Sequence, residues 1–383
     1  MGIRKKIRIL HVSQSAGGVD RYIHSLLRYM NKEIYENILV CSQDFCVDKY
    51  KDLVIAVEQL KMSREINSKD LKLIVQIRRL IKKYMPDIIY AHSSKAGAIV
   101  RISNIGLNSQ CVYNPHGWAF NMHCSGIKQK IYTIIERMAA PFCKKIICIS
   151  EAEFQSALQK KICSKNKLRV IFNGIDIDVY EKKDYIHISK EELGIPNNSC
   201  VIGMVGRIST QKAPDIFVKT AALINEIIPT AHFVIVGSGE QDEKIKKLAE
   251  ECGILKSLHI TGWVQEPMSY IELFDVACLF SRWEGFGLVL PEYMWAEKPI
   301  VASNVDAIPN LIKNYRNGIL IEPDNEVAAF EAIKEILYDS NLREKLIKQG
   351  KIDVKSRFNV KRVTKEHEKL FEELVNKKDE KIK

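Results

Sequence analysis

The sequence predicts an α/β protein built from two doubly wound parallel-sheet domains in series, and three observations lead to that fold class. The chain has 383 residues, more than one hydrophobic core usually supports. Short apolar runs alternate with helical segments through both halves, which is the pattern of parallel sheets. A charged stretch over 179–198, closed by Pro-Asn-Asn-Ser, indicates a domain junction. We therefore expect a first domain over 1–183, a second over 184–358, and a C-terminal helix over 359–383 that packs back on the first.

The first half opens with the apolar run IRILHVS, a Gly-Gly turn and a periodic segment, which together indicate the start of a Rossmann-like unit. Strands, some with their following loops, are predicted over 7–13, 36–42, 54–60, 86–94, 111–118, 144–150 and 167–176. Helices are predicted over 19–30, 69–84, 95–105 and 128–140, and from 151 onward. Pro86 ends the basic second helix, because proline cannot continue a helix.

The second half restarts the same alternation after the junction. Strands with their loops are predicted over 200–208, 232–239, 258–264, 276–280, 298–304 and 318–323. Helices are predicted over 214–228, 242–252 and 268–274, after 284, and at least twice after 325, with apolar positions recurring over 363–375. Pro214 suits the first turn of its helix, where its missing N–H costs nothing.

Composition indicates a globular protein of a reducing compartment. The ten cysteines are scattered, many of them in apolar runs, and no Cys-x-x-Cys is present. This pattern argues against a zinc site or a disulfide framework and favours buried thiols. No apolar run is long enough to span a bilayer, and the basic start has too short an apolar segment for a signal peptide. We expect a cytoplasmic protein that is not integral to the membrane.

Charge is divided unevenly between the halves. Residues 1–183 contain 31 Lys and Arg against 16 Asp and Glu, whereas residues 184–383 contain 27 against 31. The basic first half favours an anionic partner, which leaves a membrane surface, a phosphorylated lipid or a nucleic acid, unless the charge serves solubility alone. Nucleic acid is the weakest of these, because the basic helix over 69–84 carries Tyr84 as its single aromatic residue.

The stretch SRWEGFGLVLPE over 281–292 contains two glutamates eight residues apart. It follows the apolar run VACLF, so the order is buried strand, glycine loop and helix, and Glu284 is expected at the carboxyl end of a strand, where parallel sheets bind ligands. On one continuous helix, Glu284 and Glu292 would lie about 80° apart and roughly 12 Å along the axis. They therefore cannot form a close catalytic pair, but they suit two parts of one elongated ligand.

Two cations follow the first strand of the second half. Arg207 comes directly after that strand and Lys212 five residues later, a pairing that suits a diphosphate. Gly17 and Gly18 lie between the first strand and first helix, which is equally typical of a tight turn and of a phosphate contact.

Histidine and carboxylate patterns add two further expectations. His116 follows a strand and is a candidate to contact substrate, with His92 competing for that role. Among the candidate loops only Asp176 and Asp178 form an Asp-x-Asp pair, so a metal held by paired carboxylates is not supported. The two cations described above are expected to neutralise a leaving diphosphate instead.

Taken in order, nine segments resemble the retaining glycosyltransferases of family 4. These segments are Gly17-Gly18, PDIIYAHSSKAG (86–97), NPHGWAF (114–120), FNGID (172–176), VGRIS..QK (205–212), VGSGE (236–240), TGWV (261–264), SRWEGFGLVLPE (281–292) and KPIVAS (298–303). The resemblance covers nearly the whole chain. It implies the GT-B architecture, in which two Rossmann-like domains face each other across a cleft.

The resemblance also implies roles for individual residues. Arg207 and Lys212 would bind the donor diphosphate, Glu284 the transferred sugar and Glu292 the ribose. The remaining implied contacts are Gly17 and Gly18 to the donor phosphates, His116 to the sugar near its reacting centre, and Gly285, Phe286, Gly287, Leu288 and Val289 beside the nucleotide.

Three segments depart from the family pattern. Ala213 stands where glycine is usual, Tyr293, Trp295 and Glu297 replace small residues, and the usual Gly-Gly-x-Pro-Glu element is Asp306-Ala307-Ile308-Pro309-Asn310.

The implied activity is retaining, metal-independent transfer of a hexose-type sugar from a nucleotide-diphosphate sugar, with a UDP-sugar expected and no cofactor. The acceptor would be a glycan, or one linked to polyprenyl diphosphate, in the synthesis of bacterial surface polysaccharide such as capsule or O-antigen. Together with the basic first half, such an acceptor leads us to expect a cytoplasmic enzyme that is peripheral at the inner face of the cell membrane. The alternative is a sugar-nucleotide 2-epimerase of the same architecture, which would act on the donor alone. The sequence leaves the sugar, base, linkage and acceptor open.

Overall fold

The computed structural model describes residues 6–14, 16–63, 69–122, 125–182 and 186–382, which form two α/β units. The first unit runs to Gly174 and resumes at Val360, and the second is Ile175–Asn359. The division therefore lies before the boundary expected at 183/184. Ile175 joins the second unit because its amide donates to the carbonyl of Phe358 at 2.8 Å. Within the described ranges, no helix combines the length and apolar character needed to cross a bilayer.

The N-terminal unit contains a seven-stranded sheet whose strand pairs are all parallel. Its strands are β1 (Ile7–Ser13), β2 (Tyr35–Ser42), β3 (Ala56–Leu60), β4 (Ile88–His92), β5 (Gln110–Asn114), β6 (Lys145–Cys148) and β7 (Leu168–Val170). Its helices before the division are α1 (Gly18–Tyr29), α2 (Lys69–Tyr84), α3 (Ser94–Ser103), α4 (Gly126–Ala139) and α5 (Glu151–Gln159). The strand order is β3-β2-β1-β4-β5-β6-β7, so the order reverses between β1 and β4.

The second unit contains a six-stranded parallel sheet in the order β10-β9-β8-β11-β12-β13. Its strands are β8 (Val201–Val205), β9 (His232–Val236), β10 (Leu258–Ile260), β11 (Val276–Leu279), β12 (Ile300–Ser303) and β13 (Ile319–Ile321). Its helices are α6 (Ile177–Glu181), α7 (Pro214–Ile227), α8 (Asp242–Glu251), α9 (Met268–Ile271), α10 (Val289–Trp295), α11 (Ile308–Leu311), α12 (Glu326–Tyr338) and α13 (Ser340–Arg357). The final helix of the chain is α14 (Val360–Ile382). Here the strand order reverses between β8 and β11, and ligands bind at such points in open α/β sheets.

Side-chain alternation along β1 explains why helices cover both faces of the first sheet. Ile9 packs in a core with α1 and α14, whereas the next residue, Leu10, packs in a separate core with α2 and α3. Successive strand residues point to opposite faces, so a strand with buried apolar side chains on both faces must be covered on both sides.

Helix α14 belongs to the core of the N-terminal unit. Leu370 and Phe371 are buried there, together with Tyr22 of α1. The ring of His367, also buried, lies with its Nε2 2.8 Å from the Tyr22 hydroxyl and 3.0 Å from the Tyr90 hydroxyl. Because His367 Nδ1 faces the carbonyl of Val363 at 2.8 Å, Nδ1 carries the proton and Nε2 accepts.

The prediction of two doubly wound parallel sheets is confirmed, and most predicted strands shorten to their apolar part. Helices α6 and α11 were missed, since segments of five and four residues are too short to show helical periodicity. Helix α10 begins at Val289, so Glu284 lies in the preceding loop and Glu292 in the helix.

Candidate functional site

The loop after β8 carries both predicted cations. Arg207 is exposed, and its guanidinium lies 3.1 Å from the carboxylate of Glu240. Lys212 ends a short 3-10 turn, and its ammonium group contacts the carboxylate of Glu284. The side chains of Lys212 and Glu284 are largely buried, which strengthens a charge-assisted contact relative to one in water.

Ala213 has a backbone conformation that explains why glycine is usual at its position. It is fully buried, with φ of 50° and ψ of 52°, in the left-handed region, and it caps helix α7. A left-handed L-residue costs roughly 1–2 kcal/mol. The alanine therefore keeps the geometry of the loop at a cost in stability.

Two further groups hold Glu284, which lies in the loop after β11. The Ser281 hydroxyl donates to its carboxylate at 3.2 Å, and its backbone amide donates to the Asp306 carboxylate at 2.9 Å. Asp306 has φ of 43°, and it stands where the family pattern has the first glycine of Gly-Gly-x-Pro-Glu. Aspartate tolerates this backbone region better than most residues, and here its side chain also fixes the segment that carries Glu284.

Backbone and side-chain bonds join the two loops directly. The side-chain amide of Gln211 donates to the carbonyl of Trp283 at 3.0 Å, and the backbone amide of Arg282 donates to the carbonyl of Gln211 at 2.8 Å. The Arg282 guanidinium donates to both carboxylate oxygens of Asp215, at 2.6 and 3.1 Å, and to Asp324 at 2.6 Å. These bonds hold Lys212 and Glu284 in one constellation.

A third loop, after β9, fits against the first only because it contains glycine. A Cβ added to Gly237 would lie 2.1 Å from the carbonyl oxygen of Gly206, and one added to Gly239 would lie 2.1 Å from that of Ile208. The amide of Ile208 donates to the carbonyl of Ser238 at 3.1 Å. The two glycines of the VGSG segment are therefore needed for the loop that carries Arg207 to pack against it.

Glu292 is buried in α10 and accepts a hydrogen bond from the Tyr180 hydroxyl at 3.1 Å. Tyr180 lies on α6, one of the short helices that the sequence did not predict. Gly287, before α10, has φ of 81°, and its missing side chain leaves room for Glu284 and for leucines of the core. Phe286 is buried and meets Phe358 edge-on.

The N-terminal unit holds the other predicted residues. Gly17 precedes α1 with φ of 112°, and its carbonyl accepts from the amide of Arg21 at 3.1 Å. Gly18 is the first residue of that helix. Only glycine reaches the backbone conformation of Gly17 without strain, so this position is explained by its turn, whether or not it contacts a phosphate.

His92 and His116, which the sequence presented as competitors, belong to one hydrogen-bonded chain. His116 Nε2 lies 3.1 Å from His92 Nδ1, and His92 Nε2 lies 3.3 Å from His11 Nδ1. His11 Nε2 lies 3.1 Å from the Asn37 amide oxygen. Burial lowers the pKa of His11 to about 4 and that of His116 to about 3, so the rings are neutral near pH 7.

The chain fixes which nitrogen of each ring carries the proton. With the Asn37 oxygen as acceptor, His11 is protonated on Nε2 and accepts on Nδ1, and His92 follows the same pattern. His116 is then protonated on Nε2, leaving its Nδ1 as an acceptor. His116 also has φ of 51°, with its amide bonded to the Asn114 side chain at 3.0 Å.

Sequence comparison covers both units. Residues 16–179 match the family described as "Glycosyltransferase Family 4", and residues 186–353 match "Glycosyl transferases group 1". An Escherichia coli protein named UDP-Gal:alpha-D-GlcNAc-diphosphoundecaprenol alpha-1,3-galactosyltransferase is 30% identical over 97% of this chain and 98% of its own length. The chain is a family 4 glycosyltransferase. The predicted family and enzyme class are thus confirmed.

A more distant relative and two solved structures extend the comparison. The Staphylococcus aureus capsular polysaccharide biosynthesis glycosyltransferase CapM is 23% identical over 90% of this chain and 92% of its own. The structure of HepE from Anabaena with UDP and glucose superposes with a TM-score of 0.82 at 20% identity, covering 96% of this chain and 100% of that one. Sucrose-phosphate synthase from Thermosynechococcus elongatus gives a TM-score of 0.83 at 18% identity, covering 96% and 99%. The two superpositions show the GT-B fold.

Family 4 membership leaves the roles of the individual residues as predictions. Sequence reasoning assigned Arg207, Lys212 and Glu284 to strand-end loops, where they are found. The partners of the candidate residues were missed: Arg282 and Asp306 in the loops around Lys212 and Glu284, Tyr180 beside Glu292, and His11 with Asn37 behind His92 and His116. The one available signal was Asp306, which had been noted as a departure from the family pattern. In the parts of the chain that the structure describes, no group of three His, Cys, Asp or Glu residues is arranged to hold a metal ion.

Proposed function

We propose that this glycosyltransferase moves a hexose-type sugar from a UDP-sugar to a glycan acceptor linked to polyprenyl diphosphate, with retention of configuration and without a metal. The process would be bacterial surface polysaccharide synthesis, such as that of capsule or O-antigen. The observation that carries the proposal is the pairing of Lys212 with Glu284 where the strand order reverses between β8 and β11. A cation and a carboxylate fixed together suit a ligand that joins an anionic diphosphate to a neutral sugar.

The donor contacts follow from the charges of the site. Arg207 and Lys212 would bind the diphosphate and stabilise it as it leaves, a task otherwise suited to a divalent ion. Glu284 would accept hydroxyl hydrogens of the sugar, and Glu292 those of the ribose. Gly285, Phe286, Gly287, Leu288 and Val289 would line the nucleotide, with Gly17 and Gly18 contributing backbone amides to its phosphates.

The proposed reaction breaks the bond between the anomeric carbon and the diphosphate oxygen. The acceptor hydroxyl attacks on the face from which the diphosphate leaves, and its proton passes to the departing phosphate. A new glycosidic bond and a free nucleoside diphosphate result, with the anomeric configuration retained. His116, whose Nδ1 is left as an acceptor by its hydrogen-bonded chain, would receive a hydrogen bond from a sugar hydroxyl.

Names of relatives and charge support a lipid-linked acceptor. Besides the E. coli galactosyltransferase, a Campylobacter jejuni relative, 22% identical over 97% of this chain and 99% of its own, is named for a PP-undecaprenol glycan substrate. The excess of 31 Lys and Arg over 16 Asp and Glu in residues 1–183 fits a diphosphate lipid and an anionic membrane surface.

The experiment is a transfer assay with purified protein, a panel of nucleotide sugars and a lipid-linked or short-chain glycan diphosphate acceptor. The donor panel is first narrowed by thermal shift, since a true donor stabilises the fold by mass action. Lys212→Ala and Glu284→Ala should each abolish transfer while retaining the fold, whereas Lys219→Ala, an exposed lysine on α7, is the matched control. NMR of the product reports the anomeric configuration. A parallel assay with a chelator tests whether transfer needs a metal ion.

Three results would contradict parts of the proposal. Wild-type-like transfer by either alanine variant would remove the assigned roles, and an inverted product would remove retention. Formation of an epimer from the donor alone, without acceptor, would indicate the 2-epimerase instead.

A further inference from the structure

Helix α4 of the N-terminal unit buries an ion-paired glutamate and exposes four large apolar side chains. On the inner side, Glu136 is buried, and its carboxylate pairs with the buried guanidinium of Arg101 at 2.9 Å and accepts from the Tyr113 hydroxyl at 2.7 Å. A surface helix of a globular protein normally shows the opposite arrangement. The outer side of α4 is therefore built to meet something other than water.

The outer side carries one continuous apolar stripe. Ile127, Ile131, Ile134 and Met138 are 49–73% exposed. With 100° between successive helical positions, the four fall within about 60° of one another. Isolated exposed apolar residues are common, but a stripe of this kind usually marks an interaction site.

The rim of the stripe is basic. Lys128, Lys130 and Arg137 lie on α4, and residues 122–145 contain a single acidic residue, Glu136, whose charge is buried against Arg101. Arg137 donates to the backbone carbonyl of Lys160 at 2.6 and 2.8 Å, which brings a further lysine to the same end of the helix. Apolar side chains surrounded by cations match the interface of a bilayer with anionic headgroups.

We propose that this stripe, Ile127, Ile131, Ile134 and Met138, docks the N-terminal unit on an anionic lipid surface. A second copy of the chain suits the stripe less well, because a two-fold interface would place two basic rims against each other. The inference rests on the proposed function in one respect: docking would bring the enzyme to an acceptor anchored in the same bilayer.

The test is flotation of the full-length protein with vesicles, without donor or acceptor. The protein should bind phosphatidylcholine vesicles containing phosphatidylglycerol, bind pure phosphatidylcholine much more weakly, and be released by salt. The double variant Ile131→Glu, Ile134→Glu should lower binding by roughly tenfold or more, because it removes apolar contact and adds negative charge. Ile134→Ser with Met138→Ser is a milder second variant. Val327→Glu with Ile352→Glu, two exposed apolar residues of the second unit, is the matched control and should bind as the wild type.

The same variants separate this inference from the proposed function. Ile131→Glu, Ile134→Glu should keep transfer to a water-soluble acceptor and lose it to a vesicle-embedded one. Wild-type-like vesicle binding by both stripe variants, or no binding by the wild type at low salt, would overturn the docking surface. So would a dimer in light scattering that the stripe variants dissociate. Inactivity towards every donor with vesicle binding intact would contradict only the proposed function.

Discussion

The hydroxyl of Tyr293 makes an unusual contribution to the second sheet, which a single substitution can test. Tyr293 lies on α10, fully buried, where the family pattern has a small residue. Its hydroxyl accepts from the backbone amide of Val205 at 2.8 Å and donates to the carbonyl of Cys278 at 3.2 Å. It thus bridges β8 and β11 just before the loops that carry Lys212 and Glu284. Tyr293→Phe removes the bridge and little else.

The expected cost follows from these two bonds. The variant leaves the partly buried amide of Val205 without the acceptor it has in the wild type, a loss of about 1–3 kcal/mol. It also forfeits the net contribution of about 1 kcal/mol from the bond to Cys278. The sum is about 2–4 kcal/mol. For a unit of this size, Ile175–Asn359, that corresponds to a fall in Tm of between about 4 and 16 °C.

Urea denaturation and calorimetry of wild type and Tyr293→Phe measure the change. Tyr338→Phe, at an exposed tyrosine of α12, is the control and should stay within about 0.5 kcal/mol of wild type. We also expect a higher KM for the donor, because the loop starting at Gly206 loses its anchor. A Tyr293→Phe stability equal to that of the control would refute the bridging role.

Three further predictions concern other contacts. Asp306→Ala should lower kcat, since it frees the amide of Glu284, and should also lower stability, since alanine tolerates φ of 43° less well than aspartate. Asp306→Asn keeps both the acceptor and the tolerance for this backbone conformation, and should retain most activity. Equal turnover of the two variants would contradict this. Arg282→Gln should destabilise the protein by about 2–3 kcal/mol after allowance for partial exposure of the side chain. A double-mutant cycle with Asp215→Asn should give a coupling energy above about 0.5 kcal/mol, and additive effects of the two substitutions would contradict this. Burial raises the pKa of Glu153 from 4.5 to about 8, so its folded form retains a proton that the unfolded form has lost. Stability should therefore fall as pH rises from about 4.5 to about 8, at up to about 1.4 kcal/mol per pH unit. Glu153→Gln should remove this pH dependence, which denaturation at pH 5 and pH 8 would measure. An equal loss of stability between the two pH values in wild type and variant would exclude the role of Glu153.

Local patterns in the sequence were sufficient for much of the fold. Apolar runs followed by glycine loops placed the strands, and the carboxyl ends of parallel strands placed Arg207, Lys212 and Glu284 in loops. These features depend on neighbouring residues, so they can be read along the chain. The short helix α6 could not be predicted in this way, because five residues show no helical period.

The sequence by itself thus determined the two sheets, the family and the candidate residues. Only the tertiary structure decided their partners: Lys212 with Glu284, Tyr180 with Glu292, and His116 with His92 and His11. The physical reason is distance along the chain. Lys212 and Glu284 are 72 positions apart, and they meet because β8 lies beside β11 in the sheet. No local pattern encodes that neighbourhood, which follows from strand order and from the packing of the whole unit.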